Sequence, residues 1–105
     1  MVHPFINDRL PELTEIFKKH QVKKAYVFGS AVTDRFNENS DVDFLIEPLD
    51  PIDEPDPVIR GEILWNLYFA LEDLLHRKVD MVTKNSLTNK YFIRELDRTA
   101  IPIYG

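Results

Sequence analysis

The hexapeptide DVDFLI, residues 41 to 46, constrains the fold more than any other stretch of the chain. Its apolar residues suit a strand, yet two acids sit inside the same run at alternate positions. Side chains two apart on a strand share a face, so Asp41 and Asp43 point one way while Val42 and Phe44 point the other. A chain with such a strand must pack one face of a sheet and leave the acids facing a different environment.

Two carboxylates held together without a counter-charge repel, and at least one is driven toward its protonated form. A hard divalent cation resolves the conflict, and Mg²⁺ in particular takes one or two carboxylates together with substrate phosphates and water. Mn²⁺ is the alternative. Asp80, inside the apolar run KVDMV at 78 to 82, offers a third acid from a second strand. Three acids on one sheet face make a site for two metals, one activating an attacking oxygen and the other stabilising a leaving oxygen. Gly29-Ser30 closes an earlier apolar run at Ala25 to Phe28. Glycine there lets backbone N–H groups approach a phosphate, and the Ser30 hydroxyl adds a hydrogen bond.

The remaining pattern places these residues on a small α/β scaffold. Ile6, Leu10, Leu13 and Ile16/Phe17 recur at helical spacing, and Pro11 starts that helix late, near Leu10. Strands are expected at 25 to 28, 42 to 47 and 78 to 82, with a short final strand at 101 to 104. Residues 48 to 57, PLDPIDEPDP, hold four prolines and four acids and read as an exposed loop. From Val58 to His76, Ile63, Leu64, Leu67, Leu71, Leu74 and Leu75 form one stripe, which marks the main core helix. Asn85 to Ser86 is expected to cap a last helix ending near Thr99. The architecture is then a mixed sheet of three or four strands backed by helices.

At 105 residues the chain is the size of a single domain spanning 1 to 105, with a real but small core. It has no cysteine, which rules out disulfides and thiolate metal sites and suits a reducing cytosol. No apolar run is long enough to cross a bilayer and the N-terminus lacks a leader pattern, so a soluble cytoplasmic protein is expected. The formal net charge of -5 argues against unspecific nucleic-acid binding, which depends on Lys and Arg neutralising phosphates. Nucleotides remain possible partners, because a bound cation supplies the missing charge locally.

Gly29-Ser30, ten intervening residues, Asp41-x-Asp43 and a later strand-borne Asp80 together resemble the polymerase-beta-like nucleotidyltransferase superfamily. The small size and the closing NKYFIRELDRTAIPIYG are similar to its minimal, MNT-type branch, whose members act as antitoxins beside a HEPN-domain toxin. The resemblance implies Asp41, Asp43 and Asp80 as metal ligands, with Asp80 also assisting deprotonation of an acceptor hydroxyl. It further implies transfer of AMP from ATP, or of another nucleoside monophosphate, to a tyrosine of the HEPN partner, with pyrophosphate leaving. Many relatives carry Arg-Gly three and four positions after the serine, where this chain has Thr33 and Asp34. Arg35 is the candidate replacement at the phosphates, although one residue of displacement on a helical turn rotates a side chain by about 100°.

Trp65 and Phe69 lie four apart and opposite the leucine stripe, so they cannot share its core. Two readings stay open: a partner surface, or a face covered by the proline-rich loop. An alternative function follows from the first of these, in which the acidic site is weak or silent and the chain neutralises its partner by masking it.

Overall fold

The computed structural model describes residues 2–49 and 56–105. Along them run α1 (Pro4–Asn7), α2 (Leu10–Lys19), β1 (Val22–Phe28), a 3₁₀ turn (Gly29–Val32), β2 (Val42–Pro48), α3 (Pro57–Leu75) and β3 (Val79–Thr83). A second 3₁₀ turn (Lys84–Ser86), α4 (Lys90–Thr99) and β4 (Ile101–Tyr104) complete the order. The strands make one sheet, β3-β2-β1-β4, in which β1 is antiparallel to both neighbours and β2 is parallel to β3. Parallel neighbours need a long crossover, and α3 supplies it.

The sheet has two unlike faces, as the alternation in β2 requires. Val42, Phe44 and Ile46 are fully buried, together with Ala25 and Val27 of β1. α2 and α3 cover that face with Leu13, Phe17, Leu67, Leu71 and Leu75, and Phe17 meets Phe44 edge-on at 6.0 Å. Each such side chain contributes about 1.5–3 kcal/mol by leaving water. The opposite face carries Asp43 and, directly across from it on β1, Phe28. Phe92 of α4 meets Phe28 edge-on at 5.9 Å, so α4 lies beside the acids rather than against the main core.

Several boundaries differ from the sequence expectation for local reasons. β1 begins three residues before Ala25, at Val22, because Lys23 and Lys24 are solvent-exposed strand residues beside a register irregularity. Ile6 belongs to a separate turn, α1, capped by His3, whose Nδ1 accepts a hydrogen bond from the Phe5 N–H at 3.1 Å. The last helix is not capped at Asn85 or Ser86. The Ser86 hydroxyl donates instead to the Thr83 carbonyl at 2.8 Å, closing a 3₁₀ turn, and Asn89 caps α4 by accepting from the N–H groups of Tyr91 and Phe92. Of the expected loop at 48 to 57, Pro48 ends β2, Asp56 caps α3 and Pro57 opens it; residues 50–55 lie outside the described set. Among the described residues no helix is long and apolar enough to cross a membrane.

Candidate active site

Parallel pairing sets Asp43 of β2 directly beside Asp80 of β3, with their side chains on the same sheet face. The consequence is electrostatic. Partial burial, then the charge of Asp80, a hydrogen bond to it and the charge of Asp41 raise the Asp43 carboxyl to a pKa of about 6. Asp41 stands one residue before β2, and its Oδ2 lies 3.9 Å from Lys78 Nζ. The Val42 N–H donates to the Lys78 carbonyl at 3.1 Å, which fastens the starts of β2 and β3 together. The three acids are thus neighbours, but among the described residues no three acidic or histidine side chains form a ready-made cation cage.

Gly29 follows β1 and opens the 3₁₀ turn with φ +68°, a conformation that L side chains rarely adopt. A Cβ added there would collide with the Asp43 carboxylate, so glycine lets the turn and the acid occupy adjoining space. Ser30 Oγ lies 3.5 Å from the Asp41 carbonyl, which brings the hydroxyl to the same place. Thr33 folds the loop back: its N–H and hydroxyl both donate to the Ser30 carbonyl, at 3.0 and 2.9 Å. Its Oγ1 accepts from the Arg35 N–H at 3.1 Å.

That loop alters the reading of Arg35. The 3₁₀ turn stops at Val32 and Thr33 is extended, so helical rotation does not govern where Arg35 goes. Arg35 lines a cleft of about 690 Å³ with Gly29, Ser30, Thr33, Arg98 and Ile101. Trp65 and Phe69 sit elsewhere, on the outer face of α3, stacked at 5.4 Å and 60% and 57% exposed. Trp65 and Tyr68 nevertheless border a groove that reaches Asp80 and Met81.

Two arginines escaped the sequence reading. Arg77 lies over the rings of Phe5 and Phe36 at 4.3 and 4.6 Å, while its Nη1 donates to the carbonyls of Asn37 and Ser40 at 2.7 and 3.0 Å. It therefore holds the segment that leads into Asp41. The only sequence signal was Phe36, an aromatic in an otherwise polar connection. Arg98 reaches the cleft because α4 ends next to β4, whose Ile101 pairs with Val27 of β1. Helical periodicity carries no trace of that pairing.

Acids from two adjacent strands, set beside a glycine-serine turn at the end of a third, define the class as nucleotidyl-transferring. Residues 11–105 match the family model described as Polymerase beta, Nucleotidyltransferase. A Methanocaldococcus jannaschii protein named putative protein adenylyltransferase is 35% identical over 102 residues, covering 90% of this chain and 97% of its own. Among solved structures, a putative minimal nucleotidyltransferase superposes with TM-score 0.72 at 26% identity, over 97% of this chain and 96% of that one. An MNT antitoxin complexed with the tri-AMPylated HEPN toxin of Shewanella oneidensis gives 0.64 at 17% identity, over 94% and 71%. The chain belongs to the polymerase beta nucleotidyltransferase family, and it is a nucleotidyltransferase of the small kind its structural neighbours represent.

Proposed function

We propose that the chain transfers AMP from ATP to a tyrosine hydroxyl of a HEPN-domain partner and thereby acts as an antitoxin. The observation that carries this reading is the placement of Asp43 and Asp80 side by side, with the Gly29 turn against the Asp43 carboxylate. The names of the M. jannaschii relative and of the Shewanella complex support the adenylyl group and the kind of acceptor.

The donor set suits Mg²⁺, since it offers hard carboxylate oxygens crowded enough to hold Asp43 near pKa 6 when no cation is present. Asp41, Asp43 and Asp80 would hold it, and when bound it supplies positive charge to the phosphoryl oxygens. The chain's own groups do the rest. Backbone N–H groups of the Gly29-Ser30 turn and the Ser30 hydroxyl orient the phosphates, and Arg35 adds charge. The acceptor oxygen forms a bond to the α-phosphorus as the bond to the bridging oxygen breaks. Asp80, exposed at the groove, accepts the hydroxyl proton, and pyrophosphate carries away the displaced electron pair.

The test is incubation with ATP, Mg²⁺ and a HEPN-domain protein from the same genome, followed by intact mass of both chains. The expected result is a gain of one or more AMP units on the partner that disappears in the Asp41→Asn, Asp43→Asn double variant. The second reading, neutralisation by masking, draws on the exposed Trp65–Phe69 stack. A stable complex without any mass gain would favour it.

A further inference from the structure

The cleft beside Gly29-Ser30 has a second wall, formed by the end of α4 and the start of β4. Gly29 adjoins the Asp43 carboxylate and, with Ser30, lines this cleft together with Arg98. We propose that Arg98, together with Arg35, forms the subsite for the β- and γ-phosphates, and so for the pyrophosphate that leaves. This deepens the nucleotidyl-transfer reading and rests on it for the identity of the nucleotide.

Charge favours a cationic subsite. A triphosphate approaching a chain of net charge -5 meets repulsion that a bound cation offsets beside the acids and that arginines can offset at its far end. Arg35 and Arg98 are the cationic residues lining the cleft, and they approach it from opposite walls. Planar guanidinium groups bind phosphate oxygens through paired, charge-assisted hydrogen bonds, which places negative charge without needing a deep pocket.

Arg98 is held in waiting by its own helix. Its Nη2 donates to both carboxylate oxygens of Glu95, at 3.0 and 2.9 Å, and its side chain is 70% exposed. An exposed pair of this kind is worth little and is easily exchanged for a better anion. Glu95 therefore competes with the phosphates for the same guanidinium, and removing its charge should strengthen phosphate binding only while Arg98 is present.

Calorimetric titration of inorganic tripolyphosphate with Mg²⁺ into the full chain tests the subsite without requiring catalysis. Arg98→Ala should weaken binding about 10-fold, the size expected for losing one charge-assisted contact at a partly exposed site. Arg98→Lys should recover part of the loss, and AMP binding should stay unchanged. Glu95→Gln should tighten tripolyphosphate binding about 2-fold in the native background and not at all beside Arg98→Ala. The exposed position leaves folding intact in each variant. Equal tripolyphosphate affinity in Arg98→Ala and the native chain, or no binding by the native chain, overturns the subsite. Failure of AMP transfer by a chain whose tripolyphosphate binding follows this pattern overturns the transfer reading instead and leaves the subsite standing.

Discussion

At the scale of single residues, the site is built against the interest of stability, and Asp43 shows it. Burial and two neighbouring carboxylates raise its pKa to about 6 in the folded chain, against an ordinary value of 3.8. The folded state thus binds the proton more tightly than the unfolded one. That contribution is fully present below pH 4 and is lost as pH rises from about 4 to about 6. In metal-free buffer at pH 7.5, Asp43→Asn should therefore be more stable than the native chain. The gain should be about 1 kcal/mol after allowance for solvent screening, and near zero at pH 4. Thermal melts at the two pH values check it; a variant less stable than the native chain at pH 7.5 contradicts the crowding. Gly29 makes the complementary case. Alanine there meets both a left-handed backbone and the Asp43 carboxylate, so Gly29→Ala should cost about 2 kcal/mol of stability. Transfer should fall by at least about 100-fold, the loss typical of a misplaced phosphate-binding donor. Normal transfer by a folded Gly29→Ala chain would remove the turn from the site.

At the scale of elements, what could be read from the sequence followed from periodicity, and what could not depended on tertiary partners. The leucine stripe located α3 within a residue, because burial of Leu67, Leu71 and Leu75 repeats with the helix. The alternation of Asp41-Val42-Asp43-Phe44 gave β2 its two faces for the same reason. The start of β1 was hidden by two lysines, and α4 by a 3₁₀ turn whose Ser86 looks like a cap in isolation. Arg77 belongs to this second group, since only the fold brings its guanidinium onto Phe5 and Phe36 and its donors onto Asn37 and Ser40. It immobilises the connection between the 3₁₀ turn and β2, which in turn sets Asp41. Arg77→Ala should destabilise the chain by about 2–3 kcal/mol through two lost charge-assisted bonds and the lost ring contacts. Arg77→Lys should restore only part of the loss, because an ammonium can donate to the two carbonyls but lacks the planar face that lies over Phe5 and Phe36. Denaturant unfolding measures the stability. Hydrogen exchange at residues 37 to 41 should rise in Arg77→Ala more than exchange in α3, and uniform change would deny the clamp.

At the scale of the whole molecule, the sheet separates two jobs. Its helix-covered face supplies the core, while the opposite face and the strand ends carry the acids, the Gly29-Ser30 turn and the arginine-lined cleft. Strand order decided this and was not legible in the sequence. Only the parallel pairing of β2 with β3, across α3, sets Asp43 beside Asp80. The same crossover turns Trp65 and Phe69 outward while leaving Trp65 and Tyr68 on a groove that ends at Asp80. On the proposed reading, a protein acceptor docked on that aromatic face would lie along a groove shared with Asp80. Trp65→Ala with Phe69→Ala should accordingly weaken association with a HEPN-domain partner by about 100-fold, in the range of paired aromatic hot spots. Tripolyphosphate binding should be unchanged, and stability should shift by no more than about 0.5 kcal/mol because both rings are largely exposed. Association is read by titration of the partner, and phosphate binding by the calorimetry described above. Undiminished partner affinity would move the docking surface away from α3. Loss of tripolyphosphate binding along with partner affinity would mean that the two rings support the fold of the site rather than a separate surface.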